Sequence, residues 1–212
     1  MFERFAIPTP FQVGPVNCYL ADRTLIDPGP DSEDAWEALQ EALADRGLTV
    51  ADIERVLITH PHPDHFGLAG RLREDGAQIV ASRESAAIIE GFADRLAFEQ
   101  SYFVPFLTRH GLQDDVARTI VELPEAFLEF APDVIVDRRL DDGEAVRVAE
   151  SVVTAEAVRG HALGELVFTY GDAEGDHAIV GDHVLDPITP NPFLQAPLEP
   201  GGDRPRMLPA YN

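Results

Sequence analysis

Four side chains that could bind metal ions follow a short apolar run in the first third of the chain. Residues 56–58 are β-branched or leucine and predict a buried strand, and the segment 60–65 that follows reads HPHPDH. Three of the chain's seven histidines lie within these six residues. Each proline in the segment disfavours the helical conformation in the residue before it. His60 and His62 should therefore be extended, with both imidazoles on one side of the chain.

This spacing points to a two-metal site. Two imidazoles that converge from one side suit a borderline-soft divalent ion such as zinc. Asp64 and His65 follow a change of chain direction, so we expect them to face a second ion. The alternative is a polar loop whose histidines only cap backbone groups. Four potential ligands at the end of a buried strand argue against that interpretation.

The pattern His-X-His-X-Asp-His resembles the signature of the metallo-β-lactamase-fold hydrolases. The resemblance implies an α/β fold, a four-layer αββα sandwich with the metals at one edge of its two sheets. A chain of 212 residues suits one such domain, spanning 1–212. The motif is specific for the fold and says little about the substrate, because this scaffold hosts several chemistries.

Two motifs in the second half of the chain follow in the order that the family shows. Gly160-His161 stands where family members usually carry Thr-Pro-Gly-His, and Gly160 allows a tight turn that can aim His161. Gly181-Asp182 ends an apolar run and resembles the segment whose carboxylate bridges both metals.

The resemblance assigns roles to these residues. The first zinc ion should be held by three histidines, His60, His62 and His161. The second should be held by Asp64 and His65, with Asp182 between the two ions. Iron or manganese is an alternative to zinc. Such ions lower the pKa of bound water to about 7, and Asp64 is also the candidate catalytic residue that orients the nucleophile.

Two further side chains are candidates for contacting a metal ligand instead of an ion. Asp27 opens an Asp-Pro-Gly segment directly after a predicted strand at 24–26, although these residues predict a plain turn at least as well. His183 follows Asp182 directly, and a structural role is favoured there.

The end of the sequence departs from the family pattern. Family members usually continue into a last strand and helix and a further metal-binding histidine, whereas no histidine follows His183. Residues 196–212 are rich in proline and glycine, and we expect a truncated tail that lacks the last strand and helix. The affinity for the second ion should then be lower than that of a complete site, by at least the roughly 10–100-fold that loss of an outer contact can cause.

Residues 84–131 are rich in phenylalanine and leucine at helical spacing. They predict a helical insertion or lid that covers the metals and accepts an apolar acyl group. The same pattern is equally compatible with helices that pack on the sandwich or with a contact in a homo-oligomer.

The charge balance is strongly acidic. Sixteen arginines, with no lysine, stand against 38 acidic residues, which gives a net charge of −22. Self-repulsion of this size is tolerable where salt screens it, so the composition is typical of a halophile. Without an apolar run of membrane-spanning length or an export signal, and with Cys18 the single cysteine, we expect a cytoplasmic protein that does not enter the membrane.

The sequence leaves several functions open. Hydrolysis of an ester or thioester, as in the glyoxalase II branch, fits an apolar lid and a small acyl substrate. RNA cleavage is the alternative, because residues 181–185 followed by 188–192 look like the β-lactamase-like-2 branch. A metal-binding but inactive fragment is the third. Export would be expected of a β-lactam hydrolase, which makes that activity less attractive.

Overall fold

The computed structural model describes residues 1–186 and 193–207 of the chain. Two β-sheets form its centre. The six-stranded sheet contains, in spatial order, β1 (Glu3–Ile7), β2 (Val16–Ala21), β3 (Thr24–Ile26), β4 (Arg55–Leu57), β5 (Gln78–Ser82) and β6 (Arg138–Leu140). The four-stranded sheet contains β7 (Ala145–Val148), β8 (Ser151–Ala157), β9 (Leu166–Asp172) and β10 (Gly175–Ile179), antiparallel throughout.

The parallel strands of the first sheet bring distant segments to one edge. Strands β3 to β6 are parallel, with Ile26 paired to Leu57 and Leu57 to Val80. Parallel strands end at the same edge of a sheet, where binding sites of open α/β sheets occur. The residues that follow β3 and β4 therefore meet at that edge, and so does the last residue of β5. These residues include Asp27, His60 and Ser82.

Six helices accompany the sheets in the described residues. They are α1 (Glu33–Ala44), α2 (Pro63–Phe66), α3 (Ala69–Glu74), α4 (Arg83–Ile89), α5 (Phe92–Arg109) and α6 (Asp114–Glu122). Residues Val50–Asp52 and Leu123–Phe130 form 3₁₀ segments. Ser32 caps α1 by accepting a hydrogen bond from the Ala35 amide, and Ser82 caps α4 by accepting one from the Ser85 amide. No helix in residues 1–186 or 193–207 has the length and apolar character to span a bilayer.

Two buried clusters explain why the central strands read as continuous apolar runs. In β4, Val56 points into the cluster between the helices and the first sheet, which also contains Leu39. The next residue, Leu57, points into the cluster between the two sheets and packs with Val153 and Phe168. A strand covered on both faces carries apolar residues at successive positions. The described residues thus build a helix–sheet–sheet arrangement, consistent with the predicted sandwich.

The predicted strand at 56–58 is observed as β4, shifted by one residue, and helices occupy most of the predicted helical region between 84 and 131. Strands β1 and β6 were not predicted. Both are edge strands of the first sheet, and their residues are mostly polar or exposed. In β6, only Leu140 of the three residues is buried, so the strand lacks an apolar pattern. The 188–192 cue and residues 208–212 of the predicted tail lie outside the described residues.

Candidate metal centre

Three histidine nitrogens converge beyond the carboxyl end of β4. His60 Nε2 lies 3.1 Å from His62 Nδ1, and His161 Nε2 lies 3.0 Å from the same His62 nitrogen. His60 and His161 are buried, whereas His62 is partly exposed. The structure therefore brings together the two imidazoles that the proline spacing places on one side of the chain and a third from 99 residues further on.

This convergence fits a metal ion better than a hydrogen-bonded cluster. An imidazole nitrogen carries either one in-plane proton or one lone pair, so His62 Nδ1 cannot make good hydrogen bonds to both neighbours. Zinc bonds imidazole nitrogens at about 2.0–2.1 Å in a tetrahedral arrangement, which puts ligand nitrogens roughly 3.3 Å apart. The observed separations are close to that value, so the donor set fits a divalent ion.

A second group of potential ligands shares His60 with the first and adds His65 and Asp182. Asp182 faces both groups: its Oδ1 lies 3.4 Å from His65 Nε2, and its Oδ2 lies 3.5 Å from His161 Nε2. Asp182 therefore lies between the two groups of potential ligands, as the sequence predicts for a bridging carboxylate. Asp64 belongs to the same edge, with Oδ2 at 3.7 Å from His65 Nε2.

Asp27 is a partner of a candidate ligand and not a plain turn residue. Its carboxylate is buried and lies 2.9 Å from His65 Nδ1, which leaves Nε2 of that ring directed at Asp182. It also accepts hydrogen bonds from the amide and the hydroxyl of Thr59. The residue has a positive φ of 53°, a left-handed conformation that aspartate tolerates better than most residues.

Thr59 was not singled out from the sequence, yet it contacts residues from several segments of the site edge, including Asp27 and His60. Its hydroxyl lies 3.0 Å from His60 Nδ1, which leaves His60 Nε2 to face His62. Its carbonyl accepts a hydrogen bond from the Leu166 amide, which ties β9 to the end of β4. A Cβ added to Gly181 would lie 2.8 Å from the Thr59 hydroxyl, so the glycine lets the segment before Asp182 approach closely.

Glu165 is a second residue that the sequence analysis missed. It is fully buried and accepts hydrogen bonds from the backbone amides of His161 and Ala162, and its Oε2 lies 3.3 Å from His183 Nδ1. Burial raises the pKa of its carboxyl, and these donors and His183 oppose the rise. Glu165 therefore holds the loop that carries His161. His183 contacts this carboxylate, in agreement with the structural role favoured for it.

Glycines give the His161 loop its shape. Gly160 has φ of 152° and Gly164 has φ of 77°, values that residues with a side chain rarely adopt. The Gly164 carbonyl accepts hydrogen bonds from the hydroxyls of Ser82 and Ser85 at 2.7 and 2.9 Å. These bonds attach the loop to the end of β5 and the start of α4, beside His60.

The charges around the site divide the histidines into two kinds. Burial and the neighbouring imidazoles lower the pKa of His60 well below its ordinary value and that of His62 to about 3. Burial would also lower the pKa of His65, but the carboxylates of Asp27, Asp64 and Asp182 outweigh it and raise that pKa well above the ordinary value. His60 and His62 are therefore neutral and ready to bind a cation, whereas His65 must release a proton first.

A cavity of about 720 Å³ opens directly on these ligands. His62, Asp64, His161 and Asp182 form one end of it. The remainder is largely apolar and is lined by α4, α5, α6, the 3₁₀ segment Leu123–Phe130 and residues 193–195, including Phe92, Leu96, Phe103, Leu107, Ile120 and Phe127. The Phe193 ring lies 5.6 Å from the His62 ring and 5.3 Å from the His161 ring, so an aromatic wall stands beside the metal ligands.

Asp64, which lines this cavity, has a carboxyl group whose pKa is shifted by its surroundings. Burial raises the pKa of its carboxyl, and Asp182 adds to the rise while His65 opposes it. A carboxylate with a raised pKa can accept a proton from a group that reacts beside it. The cavity therefore combines an apolar binding surface, convergent ligands and a carboxylate suited to proton transfer.

Comparison with known proteins gives a consistent result. The chain is 29% identical over 194 residues to the probable metallo-hydrolase YqjP of Bacillus subtilis (strain 168), which covers 90% of this chain and 59% of the relative. A metallo-β-lactamase family protein from Thermus thermophilus superposes with a TM-score of 0.73 at 28% identity, covering 90% of this chain and 62% of that one. A β-lactamase domain protein from Burkholderia ambifaria superposes with a TM-score of 0.70 at 27% identity, covering 99% and 62% respectively.

The chain thus spans about three fifths of the length of these relatives. The family model of the metallo-β-lactamase superfamily matches nearly all of this chain, from residue 11 to residue 209. The fold, the histidine cluster and this match agree: the chain belongs to the metallo-β-lactamase superfamily.

Proposed function

We propose that this protein is a zinc-dependent hydrolase that cleaves esters or thioesters whose acyl group is apolar. The observation that carries the proposal is the cavity that runs from the candidate metal ligands along α5 and α6. Ligand sites are typically concave and mostly apolar, with a few polar groups that fix orientation. Here those polar groups stand at one end, where the scissile carbonyl would be placed.

Different residues of the chain bind the metal ions, orient the nucleophile and bind the acyl group. His60, His62 and His161 form the all-nitrogen set for the first ion, and His65 and Asp182 belong to the second group. A divalent ion bound here would polarise the scissile carbonyl and lower the pKa of a water molecule, so that a nucleophile is available at neutral pH. Asp64 orients this nucleophile and holds its proton. The apolar wall binds the acyl group and excludes bulk water.

Zinc is the proposed metal because imidazole-rich sets suit it, with iron or manganese as alternatives. We propose that the second ion binds more weakly than the first, because His65 must lose a proton and the other ligands of the second group are carboxylates and His60, which the first group shares. A salt-rich cytoplasm is the proposed location, supported by the net charge of −22 and the complete replacement of lysine by arginine.

The charges of the cavity favour an acyl substrate over RNA. Among the described residues that line it, Arg95 is the only arginine, and its guanidinium is engaged by Glu99 and by backbone carbonyls. Carboxylates of Asp64, Asp182 and Glu99 also line the cavity. Proteins that bind nucleic acid normally offer arginine or lysine to the phosphates. RNA cleavage remains the second candidate because of the 188–192 resemblance.

The test is a substrate panel on zinc-loaded protein in high salt. Acyl-thiols and aryl esters with acyl chains of two to ten carbons are compared with a single-stranded RNA oligonucleotide, and bound metal is measured by mass spectrometry. We expect turnover of the acyl substrates, with kcat/KM rising with chain length. Cleavage of RNA with no acyl turnover would overturn the proposal in favour of the second candidate. Bound zinc with no turnover at all would indicate the inactive fragment.

A further inference from the structure

Arg95 of α5 is a buried cation with an unusual set of partners. Its side chain is 7% exposed. Nε donates to Glu99 Oε1 at 2.8 Å, Nη1 donates to the Pro197 and Leu198 carbonyls at 2.6 and 3.3 Å, and Nη2 donates to the Ala196 carbonyl at 3.2 Å. One guanidinium therefore binds three consecutive carbonyls that lie more than 100 residues away in sequence.

These bonds matter because residues 193–198 form no helix or strand. Buried carbonyls in such a segment need partners that secondary structure does not supply. Burial of a cation costs free energy unless hydrogen bonds and an opposite charge compensate for it. The carbonyls and the Glu99 carboxylate provide that compensation. The result is a fixed backbone position at 196–198, with Ala196 fully buried.

The segment that Arg95 fixes continues directly into the cavity wall. Phe193, Leu194 and Gln195 all line the cavity, and the Phe193 ring contacts the rings of His62 and His161. Phe193 is 44% exposed and Leu194 is 53% exposed. Apolar side chains with so much free surface hold their place through their backbone more than through their own packing.

We propose that Arg95 is a positioning residue for the substrate. By binding the carbonyls of residues 196–198, it keeps Phe193 and Leu194 beside the metal ligands, where they form the wall against which the acyl group packs. Arg95 thereby sets the affinity for long apolar acyl groups without contacting the reacting atoms. This inference rests on the proposed acyl hydrolase function.

The test compares Arg95→Met with Arg118→Met. Arg118 makes the same kind of pair with a carboxylate four residues away, on an exposed face of α6, so it controls for loss of one arginine. Arg95→Met should increase hydrogen–deuterium exchange in residues 193–207 and raise KM for an octanoyl ester about tenfold or more, the scale of a lost apolar contact in a binding pocket. Zinc content should stay unchanged, and KM for an acetyl ester should rise less than KM for the octanoyl ester. Arg118→Met should leave the exchange, the zinc content and both KM values as they are in the unmodified protein.

Phe193→Ala provides a second variant if Arg95→Met does not fold. Because Phe193 is partly exposed, its replacement should leave folding intact and should raise KM for the octanoyl ester more than KM for the acetyl ester. If Arg95→Met exchanges faster but loses affinity for both esters equally, or if Phe193→Ala shows no dependence on chain length, the positioning role is wrong.

Binding of a non-hydrolysable fluorescent octanoyl amide separates this inference from the proposed function. Weaker binding of this probe to Arg95→Met, together with a wild-type protein that turns over no ester, would retain the positioning role and reject the hydrolase. Ester turnover by the wild-type protein with unchanged KM and probe affinity in Arg95→Met would do the reverse.

Discussion

Asp27 Oδ2 and His65 Nδ1 lie 2.9 Å apart, although 38 residues separate them in sequence. Asp27 follows β3 and His65 lies in α2 after β4, so the contact depends on the parallel pairing of these neighbouring strands. A carboxylate at Nδ1 fixes the orientation of the ring and increases the basicity of its other nitrogen. His65, a member of the second group of candidate ligands, is thus oriented by the residue that follows β3.

Replacement of Asp27 should weaken the second metal site selectively. We expect Asp27→Asn to lower affinity for the second ion by about 10–100-fold, because the His65 ring loses its charged partner. Isothermal titration with zinc would measure both steps. Asp31→Asn is the matched control, since Asp31 follows in the same loop but pairs with Arg71. Two unchanged binding steps in Asp27→Asn would contradict this role.

The two glycines Gly164 and Gly143 offer a test of the loop that carries His161. Both have φ of 77°, but a Cβ at Gly164 would lie 2.5 Å from the Ser85 amide nitrogen, whereas a Cβ at Gly143 would meet nothing within 4 Å. Gly143→Ala should cost about 1 kcal/mol of stability from backbone strain alone. Gly164→Ala should cost clearly more and should also reduce zinc content, because the loop must move. Equal changes in Tm and in metal content would refute the packing argument.

Acid should destabilise the zinc-free protein well above the range in which carboxylates titrate. The folded-state pKa of His62 is about 3, against an ordinary value of 6.5, because of burial and the neighbouring imidazoles. The unfolded chain therefore takes up a proton first, and stability that is present above pH 6.5 is lost as the pH falls toward 3. Each such histidine should contribute about 1 kcal/mol per pH unit. His65 offsets only part of this loss. Its raised pKa keeps it protonated in the folded state while the unfolded chain takes up that proton near pH 6.5, and at lower pH both states are protonated.

Urea unfolding of the zinc-free protein at pH 7 and pH 5 measures this effect. The free energy of unfolding should be lower at pH 5, and His62→Gln should reduce the difference, while His110→Gln should leave it unchanged, because His110 is exposed on the surface. The same pH dependence in all three proteins would show that His62 is not responsible.

Cys18 should be unreactive in the folded protein. The thiol is fully buried, and burial together with the nearby Asp27 carboxylate raises its pKa well above the ordinary value. The reactive species is the thiolate, so a disulfide reagent at pH 8 should label Cys18 only after denaturation, about as fast as a free cysteine. Rapid labelling without urea, at a rate independent of protein stability, would contradict this arrangement.

A structural feature can be predicted from the sequence when residues close together in the chain determine it. The segment 60–65 was identified because proline and histidine at short spacing restrict the backbone directly. His161 and Asp182 were assigned through the resemblance of their Gly-His and Gly-Asp segments to the family pattern. Asp27 was ambiguous, because its role comes from a strand pairing that its own letters do not specify.

Glu165 and Arg95 could not be recognised in this way. Glu165 resembles any acidic residue at the start of a strand, and only the fold buries it beneath the His161 loop. Arg95 looks like a charged residue on an amphipathic helix, yet its partners lie at 196–198. Charged residues are usually exposed, so burial of these two was not expected from composition. Only the folded structure brings these two residues next to their partners.

The candidate ligands and the apolar wall belong to different parts of the molecule. The ligands stand on sheet edges and short loops tied together by Thr59, Asp27 and Glu165, whereas the wall consists chiefly of α5, α6 and the segment that Arg95 fixes. Exchange of the helical region for that of a relative should therefore alter which molecules are accepted while ion binding persists. Under the proposed function, substrate selectivity can therefore evolve, or be engineered, separately from metal binding.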